Sequence, residues 1–533
     1  MSDNRAEAAR IPVKSSSLNH TCRLAWSTVH PAFIAVAEFA LARGKQIASF
    51  VAVAAVILAS GGSGAADLPT GGNIVAGSGS IAQSGKTMTV TQSTNRMAAD
   101  WQSFNIGVGN TVNFVQPSAG AVALNRVMGA DVSVLQGALN ANGQIFLVNP
   151  NGVLFSPTAQ VNVGGLVAST LNITKDDFMA GNYRFSGDSV QSVRNEGTLK
   201  VGAGGTVALI AARVENLGGI EAPQGNVLLG AGQTVRLDLG GPVKLEVEAG
   251  ALNALIGQGG AIRADGGRLY LTAKAAGDLA CSVINNTGVI EAHTLETGEK
   301  GQIMLMGDMQ VGALNVSGTL DASAPHGGDS GFIETSAAKV RTSETALVTT
   351  AAVAGRTGTW LIDPNDYTIA ASGVDISGTQ LGINLGNNNV TIQSSDGASG
   401  NILVNDAVTW ATANVLTLNA RSNININANI SASQRTLKLY YGQGALNNST
   451  TAVNPSRIYI GSGATISLSA GNHYYTKLGN DGVETEWTVI TALGNADSLN
   501  DGTLQGINRS SDSGVTEGNS DFLIPTGNRR HCQ

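Results

Sequence analysis

Carboxylates are the first residues to test for chemistry, because sugar cleavage uses a pair of them, one as acid and one as nucleophile or base. Asp265, Asp321, Asp329, Asp363 and Asp366 are scattered along the chain, and the tightest group, Asp363-Pro364-Asn365-Asp366, is spelled as a solvated turn. No catalytic residue is assigned, and an enzyme is not expected. The six histidines stand apart in sequence. His293, His326 and His473 have no neighbour at ligand or triad spacing, so neither a metal nor another cofactor is expected. Gly202-Ala203-Gly204-Gly205 lacks the strand–helix setting of a phosphate loop and reads as turns. Calcium-binding Gly-Asp nonapeptides are not seen. Of the three cysteines, Cys22 lies in a segment read below as cleaved. Cys281 and Cys532 would stand about ten coils, or some 50 Å, apart in the architecture argued below, against the ~7 Å limit of a disulfide. Cys281 is therefore expected to be a buried, unpaired small residue.

The elements that would position such groups follow from composition and pattern. At 533 residues the chain is too long for one ordinary compact core, so several domains or a repeat fold is expected. Charged residues are only 13%, while 68 glycines accompany abundant Asn, Thr, Ser and Val, which suits stacked strands and tight turns. A net charge of −7 with 42% hydrophobic residues excludes wholesale disorder and gives no basic footprint for nucleic acid.

Residues 47–59, IASFVAVAAVILA, follow Arg43 and Lys45 and lead to Gly64-Ala65-Ala66 before Asp67. That is an n-region, a short apolar h-region and a cleavage site between Ala66 and Asp67. Residues 1–66 are expected to be an extended signal peptide handled by the general secretory translocon.

A two-part phrase recurs through the middle of the chain. NEGTLKV at Asn195, NLGGIEA at Asn216, QGGAIRA at Gln258, NTGVIEA at Asn286 and VSGTLDA at Val316 form its first part. GTVAL at Gly205, GNVLL at Gly225, GRLYL at Gly267, GQIML at Gly301 and GFIET at Gly331 form the second. Each part alternates apolar residues as a strand does, and the first parts recur at steps of 21, 42, 28 and 30 residues. Asn195, Asn216 and Asn286 are expected at turns, where Asn tolerates positive φ. Short strands repeating every 20–30 or so residues make the coils of a right-handed parallel β-helix, an all-β solenoid in which coils must stack to bury their inner face. Some 20 coils at roughly 4.8 Å each would build a rod about 100 Å long, with the variable gaps as loops protruding from one edge.

The most specific stretch is 101–171, centred on IFLV-Asn149-Pro150-Asn151-Gly152-VLF. Pro150 presets φ at the second position of a turn, Gly152 suits the fourth, and the Asn149 side chain reaches the backbone two residues on. This stretch resembles the secretion domain of the filamentous haemagglutinin family of two-partner secretion exoproteins. The likeness continues through GFIETS (331–336) and GTWLIDPNDYTI (358–369) to about residue 508, in the manner of the high-molecular-weight adhesin branch. The region 18–45 resembles the family's extended signal, with Leu18 standing where the initiator Met is found, so Leu18 is a candidate first residue. A second Asn-Pro-Asn-Leu tetrapeptide, found in some members, is absent.

The resemblance implies a two-partner secretion domain over 67–310 and a continuing adhesin-like β-helix over 311–508. It implies export through an outer-membrane β-barrel with periplasmic domains, and a secreted or cell-surface location on a Gram-negative bacterium. The expected role is a virulence-associated adhesin acting in cell adhesion on a host-cell receptor or glycan; a pore-forming haemolysin or cytolysin of the same secretion route is the alternative. From Arg509 no coil phrase recurs, so 509–533 is expected to be an irregular, frameshifted tail.

Overall fold

The computed structural model describes residues 68–488, apart from 240–243, 278–279, 374, 396–398, 434–436, 448–453 and 470–471, together with two strands near the N-terminus. Those two strands, Cys22–Ser27 and Ala32–Ala37, pair antiparallel within a separate unit spanning Met1–Ala59. The apolar run 47–59, the Ala66–Asp67 junction and the tail 509–533 lie outside the described residues.

The main unit is a parallel β-helix. One coil shows how the chain winds. Ala138–Ala141 is a strand of an eleven-stranded sheet (sheet A), Gln144–Val148 of a sixteen-stranded sheet (sheet B) and Val153–Phe155 of an eight-stranded sheet (sheet C). The chain then returns to sheet A as Gln160–Val163, in register beside Ala138–Ala141. Alternation turns every second side chain inward, and neighbouring coils stack like on like. One inward column of sheet B runs Met97, Ala123, Ile145, Leu166, Val207, Val227, Leu269, Ile303, Ile333, Trp360, Val390, Leu416, Leu437 and Tyr474. All of these are buried in one continuous apolar core.

The two-part phrase maps onto this winding. Its second part is the sheet B strand, as in Thr206–Ala211 and Asn226–Ala231. Its first part closes a sheet C strand such as Ser192–Asn195 and opens a sheet A strand such as Thr198–Val201. Two insertions, one before Asn195 and one within the 42-residue step, leave between sheets B and C. They do not dangle as loops. The short helix α1 (Lys175–Ala180) and an antiparallel sheet of Tyr183–Ser186, Thr234–Asp238 and Lys244–Ala249 lie over the outer face of sheet B. There Phe146, Phe178, Tyr183, Phe185, Val235 and Leu245 form a second apolar cluster. Arg96 fastens α1 by donating to Phe178 O at 2.8 Å.

Sheets A and C end at Leu347–Thr349 and Lys339–Thr342, while sheet B runs on. Two new parallel sheets begin, with Tyr367–Ile369 and Val408–Trp410. Helix α2 (Gly378–Leu385) fills the join. On one side Gln380 Nε2 donates to Ala346 O at 2.7 Å, and Asn388 Nδ2, just past the helix, donates to Val348 O at 2.8 Å. On the other side Leu385 O accepts from Thr412 and Asn414. The helix thus stands where a strand would be, with side-chain amides satisfying carbonyls at the end of sheet A. The 310/311 boundary expected from sequence falls between Gln302–Met306 and Gly312–Val316 of one coil, where all three sheets run on.

Sheet B has sixteen strands, and the two at its ends, Asn73–Ala76 and Thr485–Thr488, are antiparallel. The fourteen parallel strands between them make a rod of roughly 60 Å at about 4.8 Å per coil. This described part is shorter than the twenty-coil expectation for the whole chain, because insertions and α2 lengthen several coils. Trp487 sits in the strand Thr485–Thr488, which folds back on His473–Leu478.

Candidate functional site: the Asn149–Gly152 corner

The tetrapeptide turns the chain from sheet B into sheet C. Gly152 N donates to Asn149 O at 3.0 Å, closing the turn, and the Asn149 side chain accepts from Asn151 N at 3.0 Å. Gly152 has φ +118°, which an L side chain rarely adopts.

Sequence reasoning missed that both asparagines reach backwards. Asn149 is fully buried, and its Nδ2 donates to Asp131 O and Ser133 Oγ, each at 2.9 Å. Asn151 Nδ2 donates to Gly129 O at 2.9 Å. The two amides therefore clamp the corner to the loop of the preceding coil. From the following coil, Ser189 Oγ donates to Pro150 O at 2.6 Å. Pro150 is the exposed residue of the four, so a partner approaching this corner meets the Pro150 ring and its neighbours rather than the asparagine amides.

Asn195, Asn216 and Asn286 are brought into one column with Gln258, but not for the reason expected. None has positive φ; among the described residues Gln224 is the one non-glycine that does. Each closes a sheet C strand with its amide buried inside the rod. Asn195 Nδ2 donates to Asn216 Oδ1 at 2.7 Å, and Asn216 Nδ2 to Gln258 Oε1 at 2.8 Å. Asn195 Oδ1 also accepts from Gly197 N, two residues on, at 3.1 Å. The amides thus bond along the stack while bracing the corners. The glycines two residues on serve packing. A Cβ at Gly218, Gly260, Gly288 or Gly318 would collide with the carbonyl oxygen of the glycine one coil earlier.

His293 does not stand alone in space. Its Nδ1 lies 2.9 Å from Asp265 and its Nε2 3.2 Å from Asp321, which sit one coil to either side. Hydrogen bonds to Asp265 and then Asp321 raise the imidazole to about 10. Burial works to raise the Asp265 carboxyl, but bonds from His293 and Arg263 outweigh it and bring it down to about 2. The imidazolium is thus held between two carboxylates as an ion triad, which is poor chemistry for a general base. The signal was an equal 28-residue spacing, visible only once the coil length is known. His473 likewise has a partner, Glu486 at 3.0 Å. Asp363 closes the strand Thr359–Asp363 and Asp366 follows in the bend, but neither is exposed and Pro364 is buried, so the group is a packed corner rather than the solvated turn expected; Asp366 Oδ1 is occupied by Asn401 N and Ser399 Oγ. Among the described residues no group of three or more His, Cys, Asp or Glu has the arrangement of a metal site. Cys281 corrects a further expectation. It is disulfide-bonded, and it opens its strand with a part-buried side chain rather than a core-facing one; the side chains of the other two cysteines lie outside the described residues.

A long parallel β-helix, begun by an antiparallel cap and carrying a clamped Asn-Pro-Asn-Gly corner, defines the class: a β-solenoid protein. Residues 65–322 match the family of the TPS secretion domain. The fold also matches the crystal structure of the HMW1 secretion domain from Haemophilus influenzae, with TM-score 0.53 and 20% identity over 75% of this chain and 99% of that one. Two Haemophilus influenzae sequences described as heme/hemopexin-binding protein are similar. One is 31% identical over 241 residues, 43% of this chain and 26% of the relative; the other is 42% identical over 99 residues, 19% of this chain and 11% of the relative. The match therefore spans about a quarter or less of those relatives' length. The chain carries a two-partner secretion domain over 65–322, and proteins with this domain cross the outer membrane of Gram-negative bacteria to the cell surface or medium. Their shared domain is a secretion module and not a known enzyme class.

Proposed function

We propose that the chain is an adhesin-like surface exoprotein, exported through a partner outer-membrane β-barrel whose periplasmic domains engage the secretion domain. Residues 1–66 would be removed on the way, leaving Asp67 as the mature end. One observation carries the reading: the secretion domain passes without a break in sheet B into further coils as far as His473–Leu478. The same continuous sheet that would be threaded outward first then becomes a rod displayed beyond the membrane. Each coil that stacks buries its apolar inner face, which opposes back-sliding without a nucleotide-driven motor.

Co-expression with the partner barrel tests export, and N-terminal sequencing of the supernatant protein tests the Asp67 end. Retention in the periplasm despite the barrel, or a mature end at Met1, defeats the corresponding part of the proposal. Exported protein is then offered to epithelial cells and to red cells; binding without lysis supports an adhesin, and lysis a cytolysin. The two relatives' descriptions motivate a second reading, binding of heme or hemopexin. A pull-down on heme-agarose and on immobilised hemopexin distinguishes it from adhesion.

A further inference from the structure

The outer face of sheet B carries its own register column. From Ala98 to Leu228 this column is buried beneath α1 and the antiparallel sheet. Strand by strand it continues into Tyr270, Met304, Glu334 and Leu361. There the cover ends: Tyr270, Met304, Phe332 and Leu361 are only half buried. The last covering strand is Lys244–Ala249. One edge pairs with Thr234–Asp238, and no strand among the described residues pairs with the other. A cleft of about 510 Å³ opens beside this strand at Val247 and extends past Lys274 to Asp308 and Met309.

The next two coils of the chain are regular, with 30 and 28 residues between successive sheet A strands. They contribute no insertion that would extend the cover. Lys274 and Asp308 line the cleft itself, and two further carboxylates stand by the open strand and the floor. Glu246 points outward from the free strand, and Glu246 and Glu334 are both close enough to act on the Tyr270 phenol, which burial already pushes up. Burial and the nearby Asp363 raise the Glu334 carboxyl, so a second acidic chain would be unwelcome beside it.

We propose that this groove takes up an extended segment of a partner protein, with alternating apolar and basic residues, as a fourth strand against Lys244–Ala249. Its backbone would satisfy the open edge, its apolar side chains would cover Met304, Phe332 and Leu361, and its basic side chains would lie beside Glu246. An open strand edge over an apolar floor is the arrangement that strand addition requires, with main-chain bonds giving affinity and alternate side chains giving selectivity. This inference concerns the folded, exported protein and does not depend on which surface role the rod performs.

The test uses the secreted full chain and a labelled peptide of alternating Lys and Val, with a Glu–Val peptide as control, read by fluorescence anisotropy. The Lys–Val peptide is expected to bind saturably and the Glu–Val peptide to bind at least about tenfold more weakly. Met304→Glu should weaken the Lys–Val peptide by about tenfold or more. Glu246→Lys should weaken it and improve the Glu–Val peptide, a reversal that a misfolded variant would not produce. N-methylation of alternate amides should abolish binding when placed on one edge of the peptide and spare it on the other. Absence of saturable binding, equal binding of the two peptides, or indifference to both substitutions overturns the proposal.

Discussion

Asn195 and Asn216 lie one coil apart, and the side-chain amide of the first donates to that of the second at 2.7 Å inside the rod. Asn216 in turn donates to Gln258, so it holds a neighbour on each side. Asn216→Ala leaves the Asn195 Nδ2 group and the Gln258 Oε1 atom buried without this partner, at a cost of about 2–4 kcal/mol. Because coils touch only their neighbours, the loss should be local. Hydrogen exchange is expected to show faster exchange over 195–221 and 258–263, with the distant coils unchanged. Uniform loss along the rod, or none, would contradict the ladder.

The Asn149–Gly152 corner separates two roles that a sequence motif confounds. Asn149→Ala removes bonds to Asp131, Ser133 and Asn151 and should destabilise its coil by about 2–4 kcal/mol; Asn151→Ala, losing chiefly the bond to Gly129, should cost about 1–2 kcal/mol. Both are expected to reduce secretion. Pro150→Ala touches no inter-coil amide bond and should change stability by less than about 1 kcal/mol. If secretion of Pro150→Ala falls while its protease resistance is kept, the exposed corner is read by the transporter. Normal secretion of all three variants would remove the corner from export altogether.

Two glycines only a short distance apart should respond in opposite ways. At Gly260 a new Cβ meets the Gly218 carbonyl oxygen of the coil below, whereas at Gly219 a Cβ meets nothing within 4 Å. Gly260→Ala must spread two coils and is expected to cost about 2–4 kcal/mol. Gly219→Ala should be neutral or stabilising by up to about 1 kcal/mol, since it restricts the unfolded chain without strain. Chemical denaturation of the two variants beside the parent protein is the measurement; equal effects would mean the coils are looser than their packing implies.

The Asp265–His293–Asp321 triad sets a pH window. The His293 imidazole goes from 6.5 unfolded to about 10 folded, so its contribution is fully present below 6.5 and is lost as pH rises through about 10. Asp265 moves the other way, from 3.8 to about 2, so its contribution is present above 3.8 and is lost as pH falls through about 2. The triad should therefore stabilise most between 3.8 and 6.5. Melting temperatures of the parent and His293→Gln should differ most near pH 6 and converge above pH 10. A difference that does not depend on pH would mean that the imidazole acts by packing alone.

The winding was legible from sequence because β-helix coils repeat: the steps 21, 42, 28 and 30 between Asn195, Asn216, Gln258, Asn286 and Val316 are the coil lengths themselves. The Asn149 turn was legible because its bonds are local. What escaped was everything that acts between coils. Asp265, His293 and Asp321 are strangers in sequence and neighbours in space, and the reach of Asn149 back to Asp131 has no local signature. The amide column was misread as positive-φ turns because Asn serves both purposes, and only burial tells them apart. The open edge of Lys244–Ala249 was hidden for a similar reason: nothing in KLEVEA says which side lacks a partner.

Helix α2 takes the place of the strand that would follow the last strand of sheet A, while sheet B and the sheet begun at Tyr367–Ile369 run past it. A rod anchored at one end and pulled at the other carries the load across its strands, so coils should peel singly and not shear together. At most levels three ladders share that load. Across α2, between Leu347–Thr349 and Val408–Trp410, at most two backbone ladders bear it, helped by a few side-chain amides. A pulled molecule should therefore yield there first and lengthen in steps, so that attachment would survive a tug in flowing fluid by stretching at a chosen place.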